Sequence, residues 1–194
     1  MKKKKEFQMP VSSQLEQEIK RERYRRSYNR KLRSTVYLLI TVAAAAVLAA
    51  TLFLPVLQIY GSSMSPTLIE GDVVLSVKVN RFKQSDVVAF YYGNKLLVKR
   101  YIAGAGQWID MDENGVITVD GVTLQEPYVD TLSCGNADIT FPYQVPENKY
   151  FLIGDHRSVS VDSRHSVVGS IAKENIVGKI VFCLWPMGRF GPIS

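Results

Sequence analysis

A serine in a conformationally restricted segment is the first feature of the sequence that could perform covalent chemistry. Residues 61–68 read GSSMSPTL, with Ser63 third in the run. Pro66 lacks a backbone N–H and disfavours the helical conformation for the residue before it, so we expect a stiff, extended turn. A serine held in such a turn can act as a nucleophile if another residue accepts its proton. The alternative is a turn serine that bonds its own backbone.

Two residue types could accept that proton, and periodicity alone does not choose between them. A histidine base would be His156 or His165. The other candidate is Lys99, which alternation in a strand places on the same face as Leu97, with Arg100 on the opposite face. Burial on an apolar face would lower the pKa of a lysine toward neutrality, and its neutral amine could then act as the base. In isolation, Lys99 is more typical of a solvent-exposed strand lysine.

A polar loop follows the apolar stretch YFLI at 150–153. It begins GDHR at 154–157, and its next polar residues are Ser160, Asp162, Ser163 and Arg164. On their own, Asp162 and Arg164 are typical of an ion pair at the surface or one that braces a loop.

The two cysteines indicate no metal site. Neither Cys134 nor Cys183 has metal-ligand spacing with a histidine, so no metal and no other cofactor is expected. Cys183 lies in the apolar run KIVFCLW, which is typical of a buried strand. The sequence leaves open whether the two form a disulfide.

A long apolar segment precedes the candidate serine. No charged residue lies between Arg33 and Glu70, and residues 36–57 are almost entirely apolar. A helix of this length spans roughly 33 Å at about 1.5 Å per residue, enough to cross a bilayer core. Pro55 indicates a break near its far end. The segment exceeds the apolar core of a cleaved signal peptide, about 7–15 residues, so we predict a transmembrane helix at 35–57.

Charge is distributed unevenly and predicts the orientation of this anchor. The 194-residue chain has a net charge of +6, but residues 1–34 hold 12 Lys and Arg against 4 acidic residues. The positive-inside rule therefore places residues 1–34 in the cytoplasm and residues 58–194 outside the membrane. Residues 14–32 are expected to be helical and to attract anionic lipid. The tail has no recognisable nucleic-acid-binding module, so no nucleic-acid partner is expected.

Beyond residue 60 the hydrophobic pattern has a period of two, which is typical of β-strands. Asn114-Gly115 and Asp120-Gly121 indicate hairpins, and residues 126–148 are expected to be irregular. We predict a mostly-β fold, with a single N-terminal transmembrane helix followed by an antiparallel β-sheet or barrel-like domain. The predicted strands are 72–80, 86–92, 96–102, 150–153 and 176–184.

Four of these motifs follow the anchor in a fixed order, and in this arrangement the chain resembles the type I signal peptidases. These are membrane-bound Ser/Lys proteases that remove signal peptides from exported proteins. The resemblance extends from Arg33 onward, and the short stretch between Gln107 and Tyr150 matches a compact, single-anchor form like that of Gram-positive bacteria. The motifs are GSSMSPTL at 61–68, GDVVL at 71–75, VKRYIAG at 98–104 and YFLIGDHRSVSVDSR at 150–164.

The resemblance implies a role for each matching residue. Ser63 would be the nucleophile and Lys99 the general base, which favours lysine over histidine. Ser160 matches the family serine that hydrogen-bonds the lysine and orients it. Structural support is implied for the ion pair Asp162 and Arg164, and for Gly154 and Asp155.

The resemblance also implies an oxyanion hole, with one departure. The backbone N–H of Ser63 would be one donor, and Gly61, two residues before it, would supply another. Some family members have a serine hydroxyl at that place, so Gly61 predicts a weaker hole or one made differently. His156 stands where the family has asparagine, and the turn at 103–107 also differs, which bears on loop conformation and substrate range.

The implied partners are the lipid bilayer and preproteins that carry signal peptides ending in small residues, typically Ala-x-Ala. The family binds this segment extended, between the nucleophile segment and the lysine strand. The candidate pocket walls are Ile59, Tyr60, Met64, Leu97 and Val98, for each of which core packing is the alternative. An apolar patch near Ser63 is expected to rest on lipid.

Two other functions are compatible with parts of the sequence. One is a catalytically weak or inactive homologue that acts as an assembly factor for surface proteins or pili, although the intact Ser63 and Lys99 argue against it. The other is a self-cleaving regulatory Ser/Lys peptidase, which the transmembrane anchor disfavours.

Overall fold

The computed structural model describes residues 12–193, and the chain divides into two units between Ala50 and Thr51. The first unit is helical. A single helix, α1 (Ser12–Phe53), contains both the expected tail helix and the apolar segment. Over Leu15–Ala49, α1 is long and apolar enough to cross a membrane, and it is the one such helix among the described residues.

The apolar helix ends earlier than the sequence analysis predicted. We expected it to continue through residue 57, but α1 ends at Phe53, and β1 (Val56–Gln58) follows. Pro55 is the physical reason, since it has no N–H for the helix and restricts the residue before it. Strand β1 pairs with β2 (Val73–Val77), so the last residues of the apolar segment belong to a sheet.

The second unit consists of two antiparallel sheets. Its remaining strands are β3 (Val87–Tyr92), β4 (Lys95–Gly104), β5 (Trp108–Met111), β6 (Ile117–Val119), β7 (Val122–Thr123), β8 (Tyr143–Gln144), β9 (Lys149–Ile153), β10 (Ile171–Ala172), β11 (Ile176–Trp185) and β12 (Gly191–Pro192). The larger sheet has the order β1-β2-β11-β3-β4-β9-β10, and β12 pairs with β11. The smaller sheet has the order β7-β6-β5-β8. Short 3₁₀ turns span Lys173–Asn175 and Met187–Arg189.

The predicted mostly-β fold is confirmed. Strands β2, β3, β4, β9 and β11 lie where alternation or apolar runs placed them. The burial of β2 alternates, but the fully buried face is that of Val74 and Ser76, whereas the pattern predicts the face of Val73, Leu75 and Val77. That prediction of the buried face is wrong, because Val74 packs in the cluster beneath residues 61–68. The two hairpin signals join β5 to β6 and β6 to β7. Between residues 126 and 148, the only strand is the two-residue β8, in agreement with the expected irregular segment.

Two buried apolar clusters fix the elements that carry the candidate residues. One lies beneath residues 61–68, where Met64 and Leu68 pack with Val74 and Ile180 of the larger sheet. The other joins the two sheets around Phe151, which is fully buried between residues of β4, β5 and β6. The ring of Tyr143 lies 5.5 Å from the ring of Phe151, centroid to centroid.

Replacing Phe151 tests whether this second cluster joins the sheets. We expect Phe151→Ala to lower the free energy of unfolding by about 3–5 kcal/mol, because it removes a buried ring and leaves a cavity. The measurement is chemical denaturation of the full chain in detergent, followed by tryptophan fluorescence. Val122→Ala is the control, since that side chain is 71% exposed and should change the value by no more than about 0.5 kcal/mol. Equal effects of the two substitutions would contradict the assignment.

Candidate active site

Ser63 lies in a turn whose neighbouring apolar side chains are anchored in the core. We call residues 61–68 the serine turn. The predicted turn is present, but it is compact and not extended, because the Ser65 N–H donates to the Ser62 carbonyl at 3.0 Å. The Leu68 N–H donates to the Met64 carbonyl at 2.8 Å. Met64 and Leu68 are buried, whereas Ser63 is partly exposed. The buried neighbours therefore hold the backbone while the Ser63 side chain stays accessible.

The polar loop after β9 holds the backbone carbonyl of Ser63. The His156 N–H donates to this carbonyl at 3.1 Å. Gly154 permits the close approach, because a Cβ at that position would lie 2.5 Å from the Ser63 carbonyl oxygen and 2.1 Å from Ser160 Oγ. Any side chain at residue 154 would thus push the loop away from the serine turn.

Lys99 is buried and lines the same cavity as Ser63. Pairing of β4 with β3 places Lys99 opposite Val88, and the lysine is 3% exposed. A cavity of about 490 Å³ is lined by both Ser63 and Lys99, together with Leu97 and Val161. The predicted strand face is therefore occupied by Leu97 and Lys99, and the alternative of a solvent-exposed strand lysine does not hold.

Burial changes the protonation of this lysine. Removal from water lowers the pKa of Lys99 from 10.5 to about 8. The carboxylate of Asp162 opposes this decrease, the Arg164 guanidinium adds to it, and Asp155 opposes it. A lysine with this pKa has a substantial neutral fraction near pH 8, and its amine can accept a proton.

Asp162 and Arg164 form a fully buried ion pair. Arg164 Nε donates to Asp162 Oδ1 at 2.9 Å, and both side chains are 0% exposed. The Gly154 N–H donates to Asp162 Oδ2 at 2.9 Å. Burial opposes ionisation of Asp162, but Arg164 and the Gly154 N–H hold the pKa of this carboxyl below its usual range. Arg164 also donates to the carbonyls of Cys134 and Arg157, so the pair braces the loop from within.

Ser160 does not make the hydrogen bond that the sequence analysis expected. It is 3% exposed, and among the described residues no hydrogen bond joins its Oγ to Lys99. The hydroxyl contributes instead to the lowered pKa of Asp162. It also packs against Gly154, where there is no Cβ to displace it. The expectation is corrected for this structure, although Ser160 does lie in the loop that holds the Ser63 carbonyl.

Arg100 forms the contact that sequence reasoning missed. Its guanidinium binds Asp155 in a bidentate manner, with Nε donating to Oδ1 at 2.8 Å and Nη2 to Oδ2 at 2.7 Å. Thr67 of the serine turn donates its hydroxyl to the same carboxylate at 2.5 Å. Arg100 also donates to the Ser85 carbonyl at 2.6 Å and lies 3.6 Å from the centroid of the Tyr128 ring. The sequence did indicate that Arg100 faces away from Lys99 on the same strand. It gave no indication that Asp155 is the partner of this arginine.

The backbone N–H of Ser63 is available to an incoming ligand. Within residues 12–193, no acceptor bonds this N–H. Gly61 has a φ of +80°, a left-handed conformation that favours glycine, and a Cβ built on it would meet no atom within 4 Å. The backbone conformation, and not lack of space, thus accounts for a glycine at residue 61.

A second cavity, of about 600 Å³, begins at Ser63 and runs between the serine turn and the start of β4. All five predicted pocket residues line it: Ile59, Tyr60, Met64, Leu97 and Val98. The core-packing alternative also applies to Ile59 and Met64, which are 5% and 2% exposed, whereas Tyr60 is 76% exposed. The sequence analysis missed the contribution of β1, which the structure adds to one wall.

Neither histidine lines either of the two cavities described above that Ser63 lines. His156 lines a separate cavity of about 280 Å³ with Ser65 and Arg157, and its contact with Ser63 is through the backbone. The His165 ring nitrogen Nδ1 accepts from the Asp162 N–H at 3.4 Å. The geometry therefore favours Lys99 over both histidines as a base for Ser63.

The cysteines and acidic residues show no metal centre. Among residues 12–193, no group of three or more His, Cys, Asp and Glu side chains could hold a metal ion. Cys134 and Cys183 are both free thiols, and Cys183 is buried in β11 as its sequence context indicated.

Comparison with known proteins identifies the family. Residues 32–185 match the model of the family described as signal peptidase, peptidase S26. The chain belongs to this family. The resemblance to type I signal peptidases, and with it the prediction of a serine endopeptidase, is confirmed.

Two relatives, a signal peptidase I and a signal peptidase IB, agree with this assignment. Signal peptidase I of Bacillus licheniformis is 32% identical over 78% of this chain and 87% of its own length. Signal peptidase IB of Staphylococcus aureus strain N315 is 34% identical over 68% of this chain and 78% of its own. A crystal structure of a signal peptidase I from Enterococcus faecalis V583 aligns at 22% identity and a TM-score of 0.42, over 53% of this chain and 98% of that one.

Burial of Lys99 predicts a stability effect with a defined pH dependence. In the folded protein the charged amine is disfavoured by about 3 kcal/mol, because each tenfold change in an equilibrium constant corresponds to about 1.4 kcal/mol. We therefore expect Lys99→Met to raise the free energy of unfolding by about 1–3 kcal/mol at pH 7.

This advantage should shrink as pH rises. The folded-state pKa is about 8 and the ordinary value is 10.5. Between these values the unfolded wild type binds more protons than the folded one, so wild-type stability increases with pH. Denaturation curves of the full chain at pH 7, 9 and 10.5 provide the measurement. A constant difference between Lys99→Met and wild type across this range would contradict the lowered pKa.

Proposed function

We propose that this protein is a signal peptidase I in which Ser63 is the nucleophile and Lys99 the general base. The observation that carries the assignment is the cavity that both side chains line, with a buried lysine whose pKa is about 8. Family membership supplies the reaction class, and this geometry supports the two roles. Five further residues support the site, since they build the loop that holds the serine turn: Gly154, Asp155, Ser160, Asp162 and Arg164.

The proposed reaction is acyl transfer in two steps. Neutral Lys99 Nζ accepts the proton of Ser63 Oγ, which attacks the carbonyl carbon of the scissile peptide bond. The negative oxygen that forms accepts hydrogen bonds from the free Ser63 N–H and from the backbone N–H of Gly61. Protonated Lys99 then donates its proton to the leaving amine, and the C–N bond breaks. Lys99 then deprotonates a water molecule, which attacks the ester carbon. The C–O bond to Ser63 breaks, and protonated Lys99 returns the proton to Ser63 Oγ as the acid product leaves.

The proposed substrates are preproteins cleaved after small residues of the Ala-x-Ala type. The 600 Å³ cavity supports extended binding, because one wall is β1 and the residues that follow it and the other is the start of β4. A segment placed there could add as a strand between the two walls. Ile59, Met64 and Leu97 then limit the size of the side chains that enter.

The proposed location is a cell membrane, with the tail in the cytoplasm and the catalytic domain outside. Support comes from the apolar helix and from the arginines on its N-terminal side, which are exposed. Arg26, Arg30 and Arg33 recur at helical spacing on one face of α1, as expected for contact with anionic lipid. This contact accounts for the basic tail, and no nucleic-acid partner is proposed.

Removal of either proposed catalytic side chain tests the function directly. Purified full-length protein in detergent is incubated with a preprotein that carries a signal peptide, and the products are separated by size. We expect Ser63→Ala and Lys99→Ala each to reduce kcat at least about 1000-fold, because each removes a group required for acyl transfer. Ser62→Ala, at the exposed neighbouring serine, is the matched control and should retain most activity.

The outcomes separate the competing functions. Cleavage that persists in both variants would refute the assignment of Ser63 and Lys99. A wild-type protein that cleaves no signal-bearing substrate would favour the assembly-factor alternative.

The dependence of kcat/KM on pH tests which residue is the base. Lys99 must be neutral to accept the serine proton, so activity should rise with pH through about 8. Below that value we expect a decrease of about tenfold per pH unit. The control is His156→Asn, which should leave the position of this limb unchanged. A limb near pH 6–7 that disappears in His156→Asn would instead identify histidine as the base.

A further inference from the structure

An arginine close to the C-terminal end of the chain reaches the serine turn. Arg189 ends the 3₁₀ turn Met187–Arg189, beyond the residues that match the family model. Its Nη2 donates to the Thr67 carbonyl at 2.6 Å and to the Pro66 carbonyl at 3.2 Å. These are successive carbonyls of the serine turn, a few residues after Ser63.

The same guanidinium contacts a buried carboxylate at the end of the segment. Arg189 Nε lies 3.2 Å from Asp72 Oδ2, and the Asp72 side chain is 1% exposed. Asp72 Oδ2 also accepts from the Ile69 N–H at 3.0 Å. Arg189 thus joins the serine turn to Asp72, the residue immediately before β2.

Thr67 is therefore held from two sides. Its hydroxyl contacts the Arg100–Asp155 pair, and its carbonyl contacts Arg189. Pro66 has no N–H, so this part of the turn has one fewer backbone donor to fix its own conformation. The Arg189 guanidinium donates from Nη2 to two carbonyls and forms an ion pair with Asp72, although its Nε makes no hydrogen bond. A planar, delocalised guanidinium can span these groups, which a compact ammonium cannot do in one geometry.

We propose that Arg189 is a positioning residue that fixes the serine turn and thereby the direction of the Ser63 side chain. This inference rests on the proposed peptidase function of Ser63. Arg189 does not touch the reacting atoms, and it acts through Pro66 and Thr67. Because a displacement of about 1 Å can cost about a hundredfold in rate, loss of these contacts acts on kcat.

The first experiment compares steady-state kinetics of Arg189→Ala and Arg189→Lys in the full chain with a preprotein substrate. We expect Arg189→Ala to lower kcat about tenfold to a hundredfold while KM changes less than about threefold. Arg189→Lys should fall between this variant and wild type, because an ammonium restores only part of the contact set. The position of the pH limb should not move, since Lys99 keeps its surroundings. The matched control is Arg81→Ala, at an exposed arginine that should leave kcat unchanged.

Chemical rescue separates positioning from a general loss of structure. Arg189 is partly exposed at 32%, so free guanidinium can enter the space left by Arg189→Ala. We expect guanidinium chloride at low millimolar concentration to restore part of kcat in Arg189→Ala, and sodium chloride at equal ionic strength to restore none. Rescue by guanidinium, or an Arg189→Lys variant of intermediate kcat, would support the proposal. Full activity of Arg189→Ala, or no rescue together with an Arg189→Lys variant as inactive as Arg189→Ala, would overturn it.

The double variant Asp72→Asn with Arg189→Met separates positioning from stability. It removes both charges, so no unpaired buried carboxylate remains, and we expect its melting temperature to exceed that of Arg189→Met. If Arg189 positions the turn, kcat stays low in the double variant. If kcat returns together with the melting temperature, Arg189 is only the counterion of Asp72 and the proposal is wrong.

A measurement without substrate keeps this inference distinct from the proposed function. Hydrogen exchange of peptides that cover residues 61–70 should be faster in the double variant than in wild type, with exchange in β9 unchanged. Unchanged exchange at 61–70 would overturn the positioning role even if the wild type cleaves preprotein in a Ser63-dependent manner. Faster exchange in a wild-type chain that cleaves nothing would keep the contact role and reject the peptidase function.

Discussion

The buried ion pair between Arg100 and Asp155 is the interaction on which the geometry of the candidate site depends. It joins β4 to the loop after β9 and, through Thr67, to the serine turn. Because successive residues of a strand face opposite sides, the contacts that hold Arg100 on one side leave Lys99 facing the cavity that Ser63 lines. Both side chains of the pair are fully buried, and a buried pair recovers its desolvation cost only with good geometry and further hydrogen bonds. We therefore infer that the main effect of this pair is to position β4, the loop after β9 and the serine turn relative to one another. Its contribution to net stability is the smaller effect.

The need for a neutral Lys99 restricts which charged groups can lie near it. A nearby carboxylate normally raises the pKa of a lysine, and Asp162 has this effect on Lys99. Arg164 is bound to that carboxylate and repels the protonated amine, so it limits the increase. An isolated Asp162 would raise the pKa of Lys99 and reduce its neutral fraction, and a site without any carboxylate would lose the brace that orders the loop. The pairing of Asp162 with Arg164 thus meets both needs, and the remaining desolvation of Lys99 is a stability cost of the kind often found at functional sites.

The sequence analysis predicted local features well and long-range partners poorly. The position of β2 and the turn at Asn114-Gly115 depend on neighbouring residues, so they could be recognised from the chain alone. The buried face of β2 could not, because it is decided by the residues that pack against Val74. The partner of Arg100 lies 55 residues away, and nothing in a strand pattern identifies it. The hydrogen bond expected from Ser160 to Lys99 came from resemblance, and the structure does not contain it. Arg189 belongs to no motif, because its function depends only on where the 3₁₀ turn ends relative to Pro66 and Thr67.

Gly61 shows why the proposed oxyanion hole is built from backbone atoms. A serine at this position would meet no atom within 4 Å, yet a φ of +80° strains any residue with a side chain, by about 1–3 kcal/mol. The path of the turn therefore disfavours a side-chain donor at residue 61, and in the proposed reaction the free Ser63 N–H would carry more of the stabilisation. A hole with fewer donors depends more strongly on where each one points. The contacts that fix the Ser63 carbonyl through His156 and the turn beyond it through Thr67 then have a direct chemical purpose, because they orient the peptide units on either side of the attacking oxygen.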